Sequence, residues 1–281
     1  MKKHKFERRE FVKSTSIGLG SLALSPLFTT ANKTSQQNVE TTSQKKLNIV
    51  CVGAHPGDPE FGCGGTMAKY SDAGNNVTFV YLTRGEAYKP TQSYAQSAEL
   101  RTKEAETACK ILNAKAMFAG QIDGNTELNN QQNEVITKLI LSLQPDVVFT
   151  HWPVDAHPDH QVAGQLALTA WIRSLKNFHL YFYEVNTGTE TMAFAPTDYV
   201  DITAVHNKKK EAMFAHKTQN PIETYNTYFK PLEEFRGLEA GVKAAEGFIH
   251  FKPREQKANI IVTIINAGQL KEIHILIKKQ K

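Results

Sequence analysis

The sequence predicts an α/β protein, a mostly parallel β-sheet with helices on both faces and a C-terminal strand pair. Three observations lead there. Short apolar runs rich in β-branched and aromatic residues alternate with stretches of helical periodicity. The alternation is regular and carries no internal repeat, as strand–helix–strand crossovers require. The chain has 281 residues, 41% of them hydrophobic, which suffices for one sizeable core but not for a second full domain.

In chain order, LNIVCVGA (47–54) reads as the first strand, and GGTMAKYSDAG (64–74) as a short helix stopped by glycine. NVTFVYLT (76–83) is a strand, 98–114 a helix and AKAMFAG (114–120) a third strand. A helix over 133–144 leads to PDVVFTH (145–151), a strand that ends in a histidine. A long helix over 160–175 precedes the strand HLYFYEV (179–185). Residues 202–219 read as helical, 237–253 as a helix running into a short strand, and the tail as two strands around Ala267–Gly268.

The N-terminus reads differently. Residues 1–31 hold a basic start, a small-residue apolar stretch and a small-residue cleavage point near Ala31, the layout of an export signal. Arg8 and Arg9, followed by Phe11, Val12 and Lys13, resemble the twin-arginine motif, so the expected partner is an export machinery and the expected location periplasmic. Residues 32–46 are polar and read as a linker, which leaves 47–281 as a single α/β domain.

The net charge of +5 invites a nucleic-acid reading, and its distribution argues against one. The signal carries six Lys/Arg and two Glu, so the other 250 residues carry 27 basic and 26 acidic side chains, about +1. No basic field remains to hold a polyanion, apart from a local patch at KKKE, 208–211. Three cysteines, Cys51, Cys63 and Cys109, are an odd number without metal spacing and read as packing.

Chemistry concentrates in two loops after strands, AHPGDPEFGCGGT (54–66) and DAHPDH (155–160). Ligands of open α/β sheets bind at the carboxyl ends of strands. His55, Asp58 and His160 would there supply two imidazoles and a carboxylate, a ligand set that suits catalytic zinc with a position left open. Asp58 could instead cap the following helix, Glu60 has no certain role, and Asp159 could orient a histidine or face water. The glycines mimic a phosphate loop, yet no Gly-Lys-Ser/Thr follows and no Gly-x-Gly-x-x-Gly opens the turn. Gly62, Gly64 and Gly65 are expected to allow a close turn beside the ligands.

On AHPGDPE and HPDH, with TRGE (83–86), RTKEAETACKILNA (101–114), HKTQ (216–219) and AEGF (245–248), the chain resembles the PIG-L/LmbE-like zinc-dependent de-N-acetylases from Leu47 to Phe251. The resemblance implies zinc held by His55, Asp58 and His160, and an N-acetylglucosamine-type substrate. It implies that His157 stabilises or protonates the tetrahedral species, that Asp159 holds His157, and that Arg84 and Glu86 lie on a substrate-facing loop. The family's general-base aspartate is Gly57 here. Asp155 is the expected substitute, and Gly57→Asp is expected to restore the motif without gross strain. Two alternatives remain: a zinc-containing carbohydrate-binding protein with little turnover, and a zinc hydrolase acting on another amide or ester.

Overall fold

The computed structural model describes residues 45–252. The export signal, most of the linker and the C-terminal strand pair lie outside these residues. Seven strands form one sheet: β1 (Asn48–Gly53), β2 (Asn76–Tyr81), β3 (Lys115–Phe118), β4 (Val147–His151), β5 (His179–Tyr183), β6 (Asp198–Asp201) and β7 (Ala245–Phe251). Their order is β3-β2-β1-β4-β5-β7-β6. The first five are parallel, and β7 runs antiparallel to both β5 and β6.

The helices are α1 (Asp58–Asp72), α2 (Tyr94–Ile111), α3 (Asn130–Ser142), α4 (Pro158–Arg173), α5 (His206–Phe214), α6 (Pro221–Thr224) and α7 (Lys230–Ala240). Period-two alternation splits β1 between two cores. Ile49 and Cys51 pack under α1, α2 and α5 with Met67, Ala108 and Met213, whereas Val50 and Val52 pack under α3 and α4 with Ile140 and Leu166. A strand covered on both faces must be apolar throughout, which is why β1 reads as a continuous apolar run.

Four expectations need correction. The first helix starts at Asp58, six residues before Gly64, with Pro59 in its first turn, where a missing N–H costs nothing. The stretch 202–219 is not one helix: 3-10 turns at Thr203–Val205 and Lys217–Gln219 flank α5. Residues 237–240 close α7, which Gly241 ends at φ 74°, and a strand begins at Ala245. The basic patch at 208–211 is absent as such: Lys208 pairs with Asp72, Lys209 is buried between Glu233 and Glu246, and Lys210 lies over the Tyr225 ring.

The glycine-rich stretch does bind an anion, but one from its own chain. At Cys63 the backbone leaves helical geometry (φ −146°, ψ 19°), so α1 restarts there. The freed N–H groups of Gly65 and Thr66 donate to the Glu246 carboxylate at 2.8 and 2.7 Å, and Thr66 Oγ1 adds a bond at 2.6 Å. Gly65 does not make a close turn, as expected above. It admits Ile202, whose Cγ2 would stand 2.6 Å from a side-chain carbon at that position.

Candidate active site

β1 and β4 are neighbours whose onward connections depart to opposite sides of the sheet, β1 towards β2 and β4 towards β5. The loops after them therefore meet in the crevice at this switch point. One supplies His55 and, at the start of α1, Asp58. The other supplies His157, which caps α4 by accepting the Asp159 N–H at Nδ1 (3.2 Å), and His160 one turn on.

His55, Asp58 and His160 are all buried, and one ligand atom from each lies within 4.8 Å of the others. A single Asp58 oxygen, Oδ2, stands 3.2 Å from His55 Nδ1 and 3.4 Å from His160 Nε2. Two imidazoles converging on one carboxylate, with a polar cleft on the open side, are the donor set a divalent metal of the zinc type takes. The residues fit such an ion. A second cluster, His55, His157 and Asp159, lies alongside.

The charges are tightly coupled. Burial works against the charged form of His160, but Asp58 and Asp155 outweigh it and push its pKa up to about 9. Burial likewise opposes charge on Asp58, yet His160 and His55 hold it well below the carboxylate range. Burial, then His55 and His160, pull His157 down. A neutral His157 that accepts an N–H at Nδ1 carries its proton on Nε2.

Several sequence expectations shift. The Asp159 carboxylate makes no hydrogen bond to His157 among the described residues. It accepts from Thr126 Oγ1 (2.6 Å) and Gly124 N (2.7 Å) and lies 3.0 Å from His55 Nε2. Both Asp155 oxygens are engaged. Oδ1 accepts the His157 N–H (2.8 Å) and stands 3.2 Å from His160 Nδ1, while Oδ2 accepts from Thr191 (2.9 Å). Neither Arg84 nor Glu86 lines the cleft. Arg84 lies over Phe118, and buried Glu86 accepts the Arg84 and Asp123 N–H groups, bracing the loop after β3. Glu60 is wholly buried, accepts from Tyr81 Oη at 2.6 Å and stands 3.1 Å from His216 Nε2.

The cleft over the cluster has a volume of about 530 Å³. Its walls bring in residues that were given no role from the sequence: Arg101 and Gln219, from the family-like stretches 101–114 and 216–219, and Asp123, Asn186, Glu190 and Tyr228. Arg101 is buried on α2. Its Nη2 donates to Pro56 O at 2.8 Å, and its Nε has no partner among the described residues. Asp123 Oδ1 stands 3.2 Å from His55 Nε2. His151, noted in the sequence only for ending β4, is fully buried and stacks on His160 with ring centroids 4.1 Å apart. Burial and the neighbouring His160 lower its pKa to about 4.

Gly57 sits between the histidine and the aspartate at φ +108°, ψ −38°, a conformation that side chains rarely adopt. A side-chain carbon there would collide with the Gln219 amide. The expectation of an unstrained Gly57→Asp is therefore corrected. That variant is expected to lose about 1–3 kcal/mol from backbone conformation alone, and thermal unfolding beside the wild type checks it. A variant melting at or above the wild-type temperature would contradict the strain.

Comparison with known proteins identifies the family. The family described as PIG-L, GlcNAc-PI de-N-acetylase, matches residues 50–171. The chain is 30% identical over 225 residues to the diacetylchitobiose deacetylase of Thermococcus kodakarensis, covering 73% of this chain and 83% of that protein. It is similar in structure to the N,N′-diacetylchitobiose deacetylase of Pyrococcus horikoshii, with a TM-score of 0.64, 27% identity, and 72% and 83% of the two chains covered. GalB, a 4-carboxy-2-hydroxymuconate hydratase from Pseudomonas putida, shares the fold at a TM-score of 0.65 and 23% identity over 75% of this chain and 98% of that one. The fold thus carries more than one chemistry, and the site decides. With its two histidine loops at the switch point and this kinship along most of its length, the chain belongs to the PIG-L/LmbE-like deacetylases and is an amidohydrolase of that family.

Proposed function

We propose that the protein is a zinc-dependent hydrolase that removes the acetyl group from an N-acetylglucosamine-type sugar or glycoconjugate. The observation that carries this reading is the buried His55–Asp58–His160 set opening onto a polar cleft beside His157. Its relatives from Thermococcus and Pyrococcus are named for diacetylchitobiose, which supports the substrate class. Bound zinc would supply the Lewis acid that polarises the acetyl carbonyl and makes water a better nucleophile.

The remaining work falls to the chain. Arg101, buried with an unused Nε donor, and Asp123 stand in the cleft where sugar hydroxyls need one donor and one acceptor. The exposed Tyr228 ring offers an apolar face at the mouth. His157, with Nδ1 occupied by the Asp159 N–H, presents Nε2–H as a hydrogen-bond donor to the acyl oxygen, where negative charge develops. Asp155 holds the His160 ring and the His157 backbone, a positioning role that leaves it no free oxygen for a water.

Acetate release from N-acetylglucosamine oligomers by the zinc-loaded protein, beside simple esters, tests the reading. Acetate from the sugar, lost with a chelator and restored by zinc, is the expected result. Ester cleavage without sugar deacetylation would overturn it. A second reading, a sugar-binding protein without turnover, is favoured by the missing carboxylate at Gly57, and sugar binding with no acetate released would establish it.

We also propose export through the N-terminal signal, on its basic, apolar and small-residue order. N-terminal sequencing of protein from the cell envelope fraction is expected to begin near Asn32. A chain starting at Met1 in the cytoplasm would refute it.

A further inference from the structure

Gly57 leaves a gap in the chemistry, and the structure fills the space. All three atoms closest to a side-chain carbon built at Gly57 belong to the Gln219 amide. Gln219 lines the same cleft as His55, Asp58 and His160. Its Nε2 donates to Pro56 O at 2.5 Å, the carbonyl that also accepts from Arg101 Nη2. A carbonyl can face only the NH₂ end of an amide, so this bond fixes the orientation and turns Oε1 the other way. Among the described residues no protein donor reaches that oxygen.

The turn that carries Gln219 is held on several sides. Thr218 donates from N and Oγ1 to buried Glu104 on α2, at 2.9 and 2.7 Å. The Gln219 N–H reaches His216 O at 3.0 Å, and Gln219 O accepts from Thr224 Oγ1 at 2.9 Å. An acceptor fixed in this way costs little further ordering when it is used.

We propose that Gln219 is the water-positioning residue of this chain, its amide anchored on Pro56 and its Oε1 holding the attacking water where the family's carboxylate is missing. This rests on the hydrolase reading above. An amide oxygen accepts a hydrogen bond and orients a water, but it does not take the proton. The water oxygen bonds to the acyl carbon while His157 Nε2–H holds the acyl oxygen by a hydrogen bond, the C–N bond breaks, and the proton given up by the water passes to the leaving nitrogen. Acetate and a free amino sugar leave, and the enzyme is unchanged. Catalysis without a general base forgoes a factor of about 10²–10⁴, so a slow deacetylase is the expected phenotype.

Two measurements test this. In the zinc-loaded enzyme, Gln219→Met keeps the length of the side chain and removes its polar atoms. It is expected to lower kcat by about 10- to 100-fold through loss of orientation, with KM, zinc content and the shape of the pH profile unchanged, since no titrating group is lost. In the metal-free protein, Gly57→Ala is expected to lower Tm by several degrees less in a Gln219→Ala background than in the wild type, because the collision is gone while the backbone strain stays. A wild type and a Gln219→Met variant that deacetylate equally fast overturn the proposal alone, and so do additive Tm changes. Loss of zinc together with kcat would assign Gln219 a structural role and also overturn it. A wild type silent on every acetylated sugar overturns the hydrolase reading, and this proposal with it.

Discussion

Replacing His160 with alanine is expected to strip the site of its metal while the fold survives. His160 lies in the first turn of α4, with its ring between Asp58 and Asp155 and stacked on His151. It is one of three ligand atoms in the cluster, and the other two come from the opposite loop. Without it, no atom of the Asp155–His160 loop in the primary set reaches the ion. Loss of a mere outer partner of a metal ligand commonly costs 10- to 100-fold in affinity, so loss of a ligand should exceed about 100-fold. Zinc content after dialysis, with circular dichroism to confirm folding, reads the result. Full zinc retention in a folded His160→Ala protein would remove His160 from the ligand set. Acetate release should fall with the zinc.

The second large effect is on stability, far from the cleft. Lys209→Met is expected to destabilise the fold by about 3–5 kcal/mol, the usual cost of leaving buried charges without their partner. Lys209 is fully buried, with Nζ 2.7 Å from both Glu233 and Glu246. Burial works against its charge, yet the two carboxylates raise its pKa above the ordinary lysine value. His206 Nε2 also stands 2.7 Å from Glu233. Methionine fills the space but leaves two carboxylates facing each other in the interior. For a domain of this size, the loss corresponds to a fall in Tm of about 10 °C. A shift under about 2 °C would show that the cluster reorganises at no cost.

The central sheet was legible in the sequence because burial on both faces makes β1, β2, β4 and β5 largely apolar, and length separates such runs from helices. The two histidine loops were legible because strand ends locate them. β6 was not: it has four residues, bounded by Asp198 and Asp201, and among the described residues it pairs only with β7, some 45 positions on. α7 was placed too late, from 237 on, whereas the helix starts at Lys230 with Pro231 in its first turn, a position that proline fits. Arg101 and Gln219 fall in the family-like stretches 101–114 and 216–219, but nothing local gives them a role, since each becomes part of the site by reaching Pro56 from a distant element. The conformation of Gly57 was equally hidden. A glycine in a motif position says that a side chain is missing, not that the backbone has moved to a region where one would be strained.

The anchoring of the glycine-rich turn by Glu246 has a consequence for the order in which the protein comes into being. The two partners are about 180 residues apart, and β7, which carries Glu246, is the last strand of the described sheet. During synthesis the turn leaves the ribosome long before its anion, and until then the N–H groups of Gly65 and Thr66 have only water to bind. The helix that presents Asp58 is therefore secured late, when distant segments close on one another. Metal capture is therefore expected to wait for β7, so a nascent or truncated chain that lacks this strand should make a poor scavenger of metal.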